Sequence, residues 1–108
     1  MANTFKSAAT GSRTALTTMY TCPGATSAVV HAIYLSNVDG TNDATISVAV
    51  SGSANFQTRR YILKTVDVPA DSTVVIEKHI NLGAGDKLET QASANDDIEV
   101  FASILEIT

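Results

Sequence analysis

The stretch Ala44-Thr45-Ile46-Ser47-Val48-Ala49-Val50 decides the fold class. Ile46, Val48 and Val50 alternate with Thr45, Ser47 and Ala49, the period of two that a strand distributes over opposite faces. Before it stands Asp39-Gly40-Thr41-Asn42-Asp43, a run of turn formers that closes an earlier strand, Ser27–Asn37. In that earlier strand Val29, His31, Ile33 and Leu35 fall on one face, and Ala28, Val30, Ala32 and Tyr34 on the other. Both faces are apolar, which predicts a central strand covered on each side.

The same pattern extends in both directions. Residues 14–21 are rich in β-branched side chains and end at Cys22-Pro23-Gly24, where Pro fixes φ and Gly permits a positive one. Downstream, strands are predicted over 56–66, 73–80, 87–93 and Ile98–Ile107. They are separated by Val68-Pro69-Ala70-Asp71-Ser72, Gly83-Ala84-Gly85-Asp86 and Asn95-Asp96-Asp97. Turn signals about every 8–12 residues, with no segment of period 3.6, read as an all-β, single-domain antiparallel β-sandwich of Ig-like or jelly-roll type with about eight strands. The sandwich is expected over 14–108. Residues 1–13 are expected as a flexible N-terminal arm, loosely held or added to a sheet as an edge strand.

Composition bounds the function. The chain has 108 residues, 44 % of them apolar and only 17 % charged, with a net charge of −4. That suffices for one core and argues against a disordered tail or a phosphate-reading nucleic-acid binder. Cys22 is the one cysteine, so burial and backbone pairing rather than a disulfide must hold the fold. This fits synthesis in a reducing cytoplasm. The start Met1-Ala2-Asn3-Thr4-Phe5-Lys6 has no apolar run of the signal-peptide kind. The apolar stretch 28–35 is interrupted by His31 and too short to span a bilayer, so no membrane partner is expected.

Candidate chemistry is sparse. His31 and His79 show no metal-ligand spacing and are expected as structural residues, His79 in a surface cross-strand pair beside Glu77. The acidic turns 39–43 and 95–97 lack the register and terminal Glu of a calcium loop and are expected to serve as turns. No nucleophile elbow, phosphate loop or recognisable carboxylate pair occurs among the four glutamates, so no catalytic residue, metal or cofactor is assigned. Arg59, Arg60 and Lys64 form the one basic cluster, readable as a docking edge for an acidic partner or as charges that guard an edge strand. The candidate partner contacts are therefore Phe5 and Lys6 on the arm, with Arg59 and Arg60.

Read together, several motifs carry a resemblance. Tyr20-Thr21-Cys22-Pro23-Gly24, then Ala28-Val29-Val30-His31-Ala32-Ile33-Tyr34-Leu35-Ser36-Asn37, resembles small structural proteins of tailed bacteriophages, of the marine-phage and cyanophage type. The similarity continues through Val68-Pro69-Ala70-Asp71-Ser72-Thr73 and Ile80-Asn81-Leu82-Gly83-Ala84-Gly85-Asp86-Lys87-Leu88 to Ala102-Ser103-Ile104-Leu105-Glu106-Ile107. The resemblance implies a non-enzymatic β-sandwich of the virion, made in the host cytoplasm. Its implied role is capsid decoration (cement) or a neck, tail, baseplate or fibre-associated part. The major capsid protein or other virion proteins would be its partners, in a homo-oligomer such as a trimer. A second expectation, of a different class, is a carbohydrate-binding sandwich module for host attachment. It is disfavoured by the absence of Trp and by the placing of Tyr34 and Phe101 in the core.

Overall fold

The computed structural model describes residues 3–52 and 59–108. Nine strands lie in them: β1 Asn3–Gly11, β2 Thr17–Thr21, β3 Ser27–Asn37, β4 Ala44–Ser51, β5 Arg60–Val68, β6 Thr73–Ile76, β7 Ile80–Leu82, β8 Lys87–Ala92 and β9 Ile98–Ile107. The part of the expected strand 56–66 that precedes Arg59 lies outside the described residues. One sheet runs β1-β9-β3-β6, with β7 also on β3, and the other runs β2-β8-β4-β5; all pairs are antiparallel. Counting β6 and β7 as one interrupted strand, the two orders become first-eighth-third-sixth and second-seventh-fourth-fifth. That is the strand order of a jelly roll, two Greek keys folded over each other, and it settles the choice the sequence left open.

The core lies between the sheets. Val30, Ile33, Leu35, Ile98, Val100 and Ile104 of the five-stranded sheet meet Ile46, Val48, Val68 and Leu88 of the four-stranded one, all sealed from solvent. Ile46, Val48 and Ala44 face inward as the alternation predicts, with Val50 half-buried at the end of the strand.

Three expectations need correction. First, β3 does not keep one parity. Its pairing with β9 slips between Val30 and Ala32, so Ala28 and Val30 point inward before the bulge and Ile33, Leu35 and Asn37 after it. One extra residue turns the side chains that follow to the other face. The two apolar faces are thus one core face read on either side of a bulge, and Tyr34 points out. Second, the strand expected over 73–80 is broken into β6 and β7, because both pair with β3 on either side of that same bulge. Third, residues 3–11 take the edge-strand alternative of the expectation and not the loose arm. They form β1, paired with β9 in an unbroken register from Asn3↔Ile107 to Gly11↔Glu99. Nine residues of ladder compensate for their low apolar content.

The turns behave as their residues suggest. Asp39 accepts hydrogen bonds from the backbone N–H of Thr41 and Asn42 at 2.8 and 3.1 Å, closing the turn before β4 on itself. Those bonds hold its carboxyl below the usual range. At the corner before β8, Gly85 takes φ 85°, which an L side chain resists. In the Pro23 turn the positive φ falls on Ala25 (57°) and not on Gly24.

Candidate interaction surface

The outer face of the five-stranded sheet carries the feature that the residues make most of. By alternation, β9 turns Glu99, Phe101, Ser103, Leu105 and Ile107 outward, since Val100, Ala102 and Ile104 are in the core. Register then stacks cross-strand rows on that face. Ala9 and Tyr34 flank Phe101, and Val75 lies beyond Tyr34. Phe5 and Val29 flank Leu105. The Tyr34 and Phe101 rings sit 6.3 Å apart at a 52° tilt, within the range in which aromatic pairs attract. Both rings are more than two-fifths exposed, as is Val75 nearly, and Phe5 is 80 % exposed. A shallow open depression of about 430 Å³ lies against Tyr34 and Phe101, lined also by Ala9, Thr10, Gly11 and Glu99. Among the outward positions of the described strands in this sheet, Glu99 is the one charged residue. A sheet face that exposes aromatic and aliphatic side chains in rows and carries little charge is the kind of surface that marks a contact site.

The residues picked out from sequence land in different places. Phe5 stands on this face. Lys6 points to the other side of β1, where its ammonium lies 3.6 Å from Glu106. Arg60 opens β5, the edge strand of the four-stranded sheet, and Arg59 precedes it, so the four do not form one patch. Arg59 is engaged within the molecule, its Nε donating to Glu89 at 2.8 Å. Lys64 lies over the Tyr61 ring, 4.8 Å from its centre, and Arg60 is exposed. Tyr34 and Phe101 were missed. Their signal was the apolar character of both phases of β3 and β9, which alternation alone cannot resolve.

Buried polar groups tie the two sheets together. The Tyr20 hydroxyl on β2 donates to Glu106 on β9 at 2.6 Å, bridging the sandwich. Burial, then the Glu106 carboxylate, push the Tyr20 phenol well above its ordinary range, so it stays a donor. Cys22 is buried against the Thr26 carbonyl at 3.3 Å, and burial, Glu106 and Asp86 push its thiol up, which keeps it unreactive. Among the described residues no three His, Cys, Asp or Glu side chains gather as a metal-binding group.

The Arg59–Glu89 pair gives a pH prediction. Burial would raise the Glu89 carboxyl, but hydrogen bonds from Arg59 and Ser51 outweigh it and hold the pKa below the usual value. A depressed carboxylate stabilises the fold above the unfolded pKa of about 4.3, and that contribution is lost as pH falls through the folded value. Thermal melts of wild type and Arg59→Gln across the acid range should therefore differ most near neutrality. The gap should close as pH falls below about 4. A gap independent of pH would mean that Arg59 acts through packing alone.

Compared with known proteins, the chain matches no protein family, no curated protein and no solved structure. Fold and surface alone define its class: a jelly-roll sandwich with an exposed, nearly uncharged apolar sheet face.

Proposed function

We propose that this chain is a non-enzymatic structural protein of a tailed-bacteriophage virion, a capsid decoration protein that docks on the capsid lattice through the outer face of its five-stranded sheet. The observation that carries the reading is that face, with Phe5, Tyr34, Phe101 and Val75 exposed and Leu105 half-buried in cross-strand rows. The jelly roll recurs in viral capsid and lectin domains, which supports the reading by fold-level analogy. The sequence motifs that resemble small phage structural proteins point the same way. Magnitude favours a repeated contact. Four strand lanes of about 4.8 Å and the ten residues of β9 at about 3.3 Å each give a face of about 600 Å². That is below the roughly 800 Å² per partner of a standard interface, so each contact is weak and a lattice or a homo-oligomer gives it avidity.

The test is the copy number of the chain in purified particles, by quantitative mass spectrometry against the major capsid protein. Near parity is expected for a decoration protein. A small fixed number would move it to the neck, tail, baseplate or fibre, and absence from particles would overturn the virion reading.

One observation favours the second reading, a carbohydrate-binding module. Tyr34 and Phe101 are not in the core. They form an open aromatic platform beside Glu99, Ser36 and Thr10, the combination of stacking faces and hydrogen-bonding groups that sugar rings use. Tyr20, by contrast, is committed to Glu106 and is unavailable to a ligand. Specific glycan-array binding that is lost in Tyr34→Ala would put this reading ahead, and a silent array would set it aside.

A further inference from the structure

A sheet edge presents a row of unpaired backbone N–H and C=O groups, and proteins blunt such edges with short strands, bulges or charges. Among the described strands, three of the four edges are blunted in this way. β2 has five residues and a register slip between Thr18 and Tyr20. β5 carries Arg60, Lys64 and Asp67, and its pairing with β4 slips twice. The edge beyond β3 is divided between β6, of four residues, and β7, of three. β1 has none of these devices. It runs for nine residues in unbroken register with β9 and contains no proline. Its one charge, Lys6, lies on the inner side of the strand, 3.6 Å from Glu106. Next to it Phe5 stands 80 % exposed on the outer side.

We propose that β1 is a dimerisation edge, on which a second copy of this chain pairs antiparallel about a twofold axis at Ser7. That register pairs all nine residues, with Asn3 against Gly11 and Phe5 against Ala9 of the second copy. An axis at Lys6 would instead set two ammonium groups opposite each other, which destabilises a strand pair. With Ser7 at the centre, Phe5 of each copy lies beside Ala9 of the other. Ala9 opens the cross-strand row that continues through Phe101, Tyr34 and Val75, and it lines the depression beside the two rings. Phe5, whose own cross-strand neighbour is Leu105, thus gains apolar cover on its free side. The paired strands are about 30 Å long and a sheet layer is about 10 Å thick, so each copy covers about 300 Å², to which the Phe5 ring adds about 150 Å². A total of about 900 Å² is at the low end for specific contacts, which sets a reversible dimer with a Kd of about 10–100 μM. Pairing also joins two outer faces into one continuous sheet surface, whatever that surface binds.

Sedimentation velocity of the full chain from about 1 to 500 μM should show monomer passing to dimer with its midpoint in that range. Phe5→Lys, at an exposed position outside the core, should keep the fold and raise the dissociation constant at least about tenfold. Ser7→Cys tests the register. Opposed Cα atoms of an antiparallel pair lie about 4.5–5.5 Å apart, within disulfide reach, and the native Cys22 is buried away from the edge. Mild oxidation should convert Ser7→Cys to a covalent dimer, whereas Ser103→Cys, one strand further in on the same face, should stay uncoupled. A chain that remains monomeric throughout, a dimer that Phe5→Lys leaves undiminished, or Ser7→Cys that couples no faster than Ser103→Cys would overturn the edge pairing.

Discussion

Val48→Asp is expected to leave the chain unfolded at room temperature. Val48 has no exposed surface and sits between the sheets at the centre of β4, the strand whose alternation first reveals the fold. The substitution removes a buried aliphatic side chain, at about 1.5–3 kcal/mol. It also places a carboxylate among Ile46, Leu88 and Ile104, with no cation in the described core to meet it. An unpaired buried charge adds several kcal/mol or forces the group to take up a proton. Against a total stability of about 5–15 kcal/mol, the sum consumes most or all of the margin. Circular dichroism should show loss of the cooperative melt. Val48→Ala separates cavity from charge, and should fold with a lowered melting temperature. A folded, cooperatively melting Val48→Asp would mean that the inward face of β4 is misassigned.

The second large effect is expected on association. Replacing Tyr34 and Phe101 together by Thr removes both rings from the outer face of the five-stranded sheet. Thr suits a strand, and neither ring is part of the core between the sheets, so the fold should be kept with a modest loss of stability. Central aromatic residues of an interface are commonly worth about 2 kcal/mol or more each, about 30-fold in affinity. Removing two neighbours should therefore weaken attachment by at least about 100-fold, and a multivalent lattice contact would amplify the loss. A matching pair on the other sheet face, Gln91→Ala with Lys64→Ala, should leave attachment unchanged.

Much of the fold was legible in the sequence because period-two alternation and turn chemistry are local. The β4 pattern, the Asp39–Asp43 turn and the Gly83–Asp86 corner needed only neighbours within a few residues. What escaped was set by partners far along the chain. The bulge at His31 has no marker such as Gly, and it shows only in the pairing of β3 with β9, which slips by one residue between Val30 and Ala32. That slip alone moved Tyr34 from the expected core to the surface and split the strand expected over 73–80. On β9, Glu99 and Ser103 mark the phase of Phe101 as outward, but Glu106 places a charge in the opposite phase and blurs the signal. Glu106 is tolerated inside because Tyr20 and Lys6 satisfy it, a fact of tertiary structure. The small, polar residues of β1 gave no strand pattern of their own, and their ladder with β9 supplies the order. Of the candidate contacts, Phe5 joined the surface, whereas Lys6 and Arg59 were drawn into ion pairs that only folding creates.

In the proposed role, the outer face of the five-stranded sheet attaches this chain to a virion lattice. The most direct test is a competition in which wild type and the Tyr34→Thr/Phe101→Thr variant, both shown to be folded, bind assembled capsid shells stripped of the protein. Wild type should bind saturably near one copy per major capsid subunit, with the variant displaced at equal concentration. Equal binding of the two proteins, or no binding of wild type at all, would contradict it.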